Sequence, residues 1–92
     1  MIATLTAHLA LASKTVVAYV VRKTYFDDTP HEDVGRFDVS EDFLQCEAEN
    51  RPRYTNSYSE ALDLAYQVRT DADHRGYAVI DTICADGSRG QG

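Results

Sequence analysis

Tryptophan is absent, methionine occurs once and proline twice, so bulky core candidates come from six tyrosines and three phenylalanines. The two cysteines, Cys46 and Cys84, stand far apart and in no C-x-x-C arrangement, which removes the usual zinc-ribbon and dithiol signatures. A disulfide between them stays open on sequence grounds; two buried free thiols in a reducing compartment is the preferred reading. Long apolar runs are missing as well. The longest is Val16-Val17-Ala18-Tyr19-Val20-Val21, far short of the roughly 20 residues that a membrane helix needs. The opening "MIATLTAHLALASK" has no basic residue ahead of its apolar stretch, so a secretory signal is not expected. There is no glycine-rich phosphate loop. None of His8, His31 and His74 has a neighbour that would orient it as a base beside a nucleophile. The expectation is a soluble, cytosolic protein that is not an enzyme and carries no cofactor and no metal.

What is present is an ordinary globular balance, with 92 residues, 43% hydrophobic and 26% charged. That length suits one domain with one modest core. The domain is expected over residues 1–86, with the glycine-rich "GSRGQG" end, residues 87–92, as a flexible tail. Charge is segregated along the chain. Between Asp27 and Glu49 nine acids (Asp27, Asp28, Glu32, Asp33, Asp38, Glu41, Asp42, Glu47 and Glu49) face one base, Arg36, a net of −8 within a chain of −6. Such segregation creates a local field. It disfavours DNA as a direct partner of this segment, because phosphates are repelled, and it favours a basic one.

The element pattern is that of an α+β protein. Residues 2–12 read equally as strand and helix, with a slight preference for strand, and His8 there reads as a half-buried core-edge residue. "TVVAYVVRKTYF", residues 15–26, is the clearest strand, rich in β-branched and aromatic residues. "DDTPHED" is a connector, since Pro30 belongs in a turn. "VGRFDVS" alternates as a second strand, making a hairpin with a long acidic tip. Residues 41–49 read two ways. Ser40 can cap a short helix with Glu41 and Asp42 at its positive end, or Leu44, Cys46 and Ala48 can alternate as a third strand. The strand is preferred because it continues a meander. "NRPRYTN" is a loop. Residues 58–75 form the surest element, a helix with a Ser57/Glu60 capping box, an apolar face of Tyr58, Ala61, Leu62, Ala65, Val68 and Ala72, and a stop at Gly76. "YAVIDTIC" closes as a strand. The expected fold class is α+β, a small antiparallel β-sheet of three to four strands packed against one long amphipathic helix.

"YFDDTPHEDVGRFD" surrounds His31 with five acids. One histidine does not make a zinc set, and the spacing is not that of a calcium-binding EF-hand loop. Two surfaces remain. Asp27, Asp28, Glu32, Asp33, Asp38, Glu41 and Asp42 can meet Lys and Arg of a partner, against the plainer reading of a solvated acidic face. Arg51, Arg53 and Tyr54 can grip phosphate and stack on a base, or simply neutralise the acids beside them.

From "MIATLTAHLALASKTVVAYVVRKTYFDDT" through "SYSEALDLAYQVRTDADHRGYAVIDT", the chain resembles phage-encoded anti-CRISPR proteins of the type I-F group. The likeness is of the whole sequence and not of a motif, so it transfers no residue roles. It implies a non-catalytic inhibitor in the cytoplasm of the infected bacterium. Its partner would be the RNA-guided type I-F surveillance complex (Csy, or Cascade), through its backbone and large subunits or its guide RNA. It would act as a monomer, without binding free DNA or membrane, and block target capture in a nucleic-acid channel. The competing readings are a small nucleic-acid-contacting regulator using Arg51, Arg53 and Tyr54, and a non-catalytic phage structural or accessory protein.

Overall fold

The computed structural model describes residues 12–50 and 56–91. Strand β1 (Val16–Tyr25) is followed by β2 (Glu32–Asp38), helix α1 (Glu41–Ala48), helix α2 (Ser57–Thr70), β3 (Gly76–Cys84) and β4 (Arg89–Gln91). The strands form one antiparallel sheet in the order β2-β1-β3-β4. The α+β class and the antiparallel sheet agree with the sequence reading; among the described residues the strands number four, within the expected three to four, and two helices replace the one expected. The readings of residues 2–11, His8 included, lie outside the described residues.

Strand β1 is central because both of its faces are apolar, and it pairs with β2 on one side and β3 on the other. Its register sets Val21 opposite Ile80. These two pack with Ala78 and with Ala61 and Ala65 of α2, ringed by Tyr19, Phe37, Leu64 and Val68. Alanines on the helix let its backbone approach the sheet closely. Gly35 in β2 serves the same contact, since a Cβ there would collide with Leu64 Cδ2.

Residues 41–48 are helical, not a strand. Ser40 takes extended backbone and its Oγ accepts from Phe43 N at 3.1 Å, while Glu41 and Asp42 occupy the first turn. That cap and the favourable dipole contacts tip a pattern that alternation alone leaves tied. The helix buries Leu44 and Cys46, and Asn50 follows it at φ 57°, a left-handed residue at the usual helix exit. Both cysteines are free thiols, Cys46 buried and Cys84 half-buried.

Helix α2 starts at Ser57 and stops at Thr70, five residues short of the expected end. Ser57 does not cap it. Its Oγ donates to the Asp38 carbonyl at 2.6 Å, tying the helix start to the end of β2. Asp71 turns extended, and its Oδ1 accepts from Asp73 N at 3.0 Å. This aspartate turn competes with helical backbone pairing and ends it. Gly76 is therefore no helix stop. It opens β3 opposite Tyr25, where a Cβ would collide with the Thr24 carbonyl.

The glycine-rich end departs most from expectation. Arg89–Gln91 is a strand paired to Ile83, Thr82 and Asp81, reached by a turn with Gly87 at φ 84°. Polar composition hides an anchor, because the Arg89 side chain bonds both Asp81 and Asp33. Among the described residues no helix is long and apolar enough to cross a membrane.

Candidate functional site

The acidic segment is folded out along the β1–β2 hairpin, and its register divides it. Glu32 lies opposite Lys23, whereas Asp38 lies opposite Ala18. Five strand positions separate the two ends, about 17 Å at the rise of a β-strand. Asp27, Asp28, Glu32 and Asp33 therefore share one end of the sheet. Asp38, Glu41 and Asp42 belong to the other, where β2 runs into α1. The seven carboxylates are not one patch.

At the hairpin end the connector is locally ordered. Asp27 Oδ1 accepts from Thr29 N at 2.9 Å. Hydrogen bonding from Thr29 holds the Asp27 carboxyl below the ordinary carboxylate value. Asp27, Asp28, Thr29, Pro30 and His31 are all exposed. Glu32 accepts from the Tyr25 hydroxyl at 2.9 Å.

Asp33 has a structural role as well as a place in the cluster. Arg22 pairs with Asp33 while its neighbour Val21 pairs with Gly35, so Val34 is an extra residue in β2. One extra residue reverses the face to which the next side chain points. The bulge thereby turns Asp33 toward Arg22 and Arg89. Arg89 donates to both Asp33 oxygens, at 2.6 and 3.0 Å, and its Nε donates to Asp81 Oδ2 at 2.8 Å. Arg22 Nε donates to the same Asp81 oxygen at 3.0 Å. Each strand contributes one member of this chain of alternating charge. Hydrogen bonding from Arg89 lowers the Asp33 pKa, and the same contact raises that of Arg89.

At the far end Arg36 Nε donates to Asp38 Oδ1 at 2.9 Å, with both side chains exposed. Glu41 and Asp42 are exposed in the first turn of α1. Arg51, Arg53 and Tyr54 lie outside the described residues. Among the described residues no group of three or more His, Cys, Asp or Glu is placed to hold a metal ion.

Two features of the hairpin end were not singled out in the sequence. Phe26 N donates to the Arg75 carbonyl at 3.0 Å, which brings the end of the α2–β3 turn beside the connector; Asp71 and Asp73, both exposed, stand earlier in that turn. Phe26 is also 77% exposed and Tyr77 48%, with ring centroids 6.0 Å apart and tilted by 39°. Phe26 carried a usable signal: a large apolar residue at the point where the strand pattern turns polar. Tyr77 carried none, because strand-end aromatics are common in cores. A second apolar feature runs along α2, where Tyr58, Leu62 and Tyr66, expected or available as core, remain exposed. Tyr58 meets Tyr19 edge-on at 5.1 Å.

Comparison of the chain with protein-family models, with curated proteins and with solved structures gives no match.

Proposed function

We propose that this protein is a stoichiometric inhibitor that docks its acidic hairpin end into a basic nucleic-acid channel of the type I-F surveillance complex and so blocks capture of target DNA. The observation that carries the reading is the convergence of Asp27, Asp28, Glu32 and Asp33 at one end of the sheet. A complex that holds a guide–target duplex must present a positively charged channel. Carboxylates on a rigid hairpin are suited to enter it, gaining steering and register from complementary charge. The whole-sequence resemblance to type I-F anti-CRISPR proteins supplies the identity of the partner. The protein acts as a monomer in the cytoplasm of the infected bacterium and transforms no substrate.

The test is a band shift of target DNA by the purified complex, with this protein added before or after the DNA. Prior addition is expected to prevent the shift, in proportion to complex and not to time, and added salt to weaken the effect. Full DNA capture at saturating protein would reject channel occupation.

A further inference from the structure

We infer that the exposed Phe26–Tyr77 pair is the apolar anchor of the acidic end, and that the surface it fits is a protein face on which lysine and arginine surround an apolar recess. The inference rests on the reading above only in that the acidic end meets a basic partner. Among the described residues Phe26 is the most exposed of the large hydrophobic side chains, and Tyr77 stands against it. Its backbone is held by the bond to the Arg75 carbonyl, so the ring is presented from a fixed position. Preorganised aromatics lose little entropy on docking and are frequent hot spots at interface centres.

The charges nearby state what such a partner must carry. Asp27 and Asp28 follow Phe26 directly, and Asp71 and Asp73 lie in the turn that supplies Arg75. Two carboxylates thus adjoin Phe26 directly, with two more in the turn that ends at Arg75; Lys23 sits over the Tyr25 ring, 5.5 Å from its centroid. An apolar centre with a charged rim is the usual anatomy of a protein interface. A second copy of this chain would bring an identical acidic rim, and like charges would repel. RNA bases could stack on the rings, but the phosphates would face the same carboxylates. A cationic protein face satisfies both the rings and the rim.

The test is a titration of isotope-labelled protein, followed by NMR, with a peptide of alternating lysine and leucine and with a lysine–serine peptide of equal charge. The lysine–leucine peptide is expected to shift the amides of Phe26, Asp27, Asp28 and Tyr77 and to bind roughly tenfold more tightly, as befits one hot spot. The double variant Phe26→Ala, Tyr77→Ala should erase that difference, as should Phe26→Gln alone in large part, with the remaining amide peaks unmoved to show an intact fold. Equal affinity of the two peptides, no binding of either, or shifts centred on Tyr58, Leu62 and Tyr66 would overturn the inference. So would tighter binding of oligouridine at Phe26, or concentration-dependent self-association there. The surveillance-complex assay fails or succeeds separately. If the complex is not bound but the peptide contrast holds, the partner's identity falls and the anchor stands. If the complex is bound and the double variant behaves as wild type in both assays, the anchor alone falls.

Discussion

Arg89 in the last strand grips both carboxylate oxygens of Asp33 in β2, at 2.6 and 3.0 Å, although two other strands stand between them in the sheet. The contact closes a chain that runs through the buried carboxylate of Asp81 to Arg22 in the central strand. Its links are unequal. Asp33 and Arg89 have side chains 50% and 36% exposed, whereas those of Asp81 and Arg22 are 6% and 19% exposed. Water screens the first pair and not the second.

Removing Arg22 therefore leaves Asp81 with one cation for a buried charge. Arg22→Ala is expected to cost about 3 kcal/mol, at the low end for a broken buried pair because Arg89 remains. Asp33→Asn is expected to cost about 0.5 kcal/mol, as for an exposed pair. Chemical denaturation of the two variants measures the contrast. Equal losses would show that the buried carboxylate is not the energetic centre of the network.

Acid should weaken the fold through three carboxylates that are better hydrogen-bonded in the folded chain. Asp27 is lowered by Thr29 and Asp33 by Arg89. Asp86 falls from the ordinary 3.8 to about 2, chiefly through bonding from Ser88 and secondarily from Lys14. In each case the unfolded chain takes up its proton first. The stabilisation is complete above the unfolded value and is lost as pH drops through the folded one. Melting temperature should hold steady down to about pH 4 and decline from there toward pH 2, a window set by the Asp86 shift. Asp86→Asn should flatten that decline. A variant that keeps the wild-type slope would remove Asp86 from the account.

Gly76 is required by contact and not by backbone conformation. A Cβ there would collide with the Thr24 carbonyl and come within 2.8 Å of Tyr25 Cα, both main-chain atoms that cannot swing aside. At Gly87, by contrast, a Cβ meets nothing within 4 Å but φ is +84°. Gly76→Ala is expected to cost about 3 kcal/mol or more through overpacking, and Gly87→Ala about 1 kcal/mol through strain. Thermal melts of both variants test the order, and a larger loss at Gly87 would contradict it.

These sites also show what could be read from sequence. Strands β1, β2 and β3 and helix α2 were legible because their apolar periods are long or their residues strongly β-forming. Helix α1 was not, since Leu44, Cys46 and Ala48 satisfy alternation while Ser40, Glu41 and Asp42 satisfy a helix start, and the tie is broken where the Ser40 cap forms in the folded chain. Ser57 had every local mark of a cap, yet its hydroxyl goes to Asp38, 19 residues away. Strand β4 was hidden for the same reason. Arg89 finds Asp33 at a separation of 56 residues, and no composition window contains both. The acidic run was legible as charge, but its division between two ends of the hairpin depends on register, and the approach of Arg75 to the connector depends on the Phe26–Arg75 bond.

That division decides how the proposed interface should be tested by charge reversal. Reversing Asp27, Asp28, Glu32 and Asp33 together would mix two effects, because Asp33→Lys places a cation against Arg89 and Arg22. Asp27 and Asp28 are free of any ion pair with Lys or Arg among the described residues, and both are exposed. Asp27→Lys with Asp28→Lys should therefore leave the melting temperature within a few degrees of wild type. The pair should weaken binding to the surveillance complex by roughly tenfold or more, since each reversal replaces an attraction with a repulsion. Glu41→Lys with Glu47→Lys, both exposed on α1 and in no ion pair with Lys or Arg among the described residues, is the matched control with the same charge change. Loss of binding in the first pair alone would fix the contact at the Phe26 end. Equal loss in both pairs would mean that binding follows net charge, and loss in the control alone would move the contact to α1.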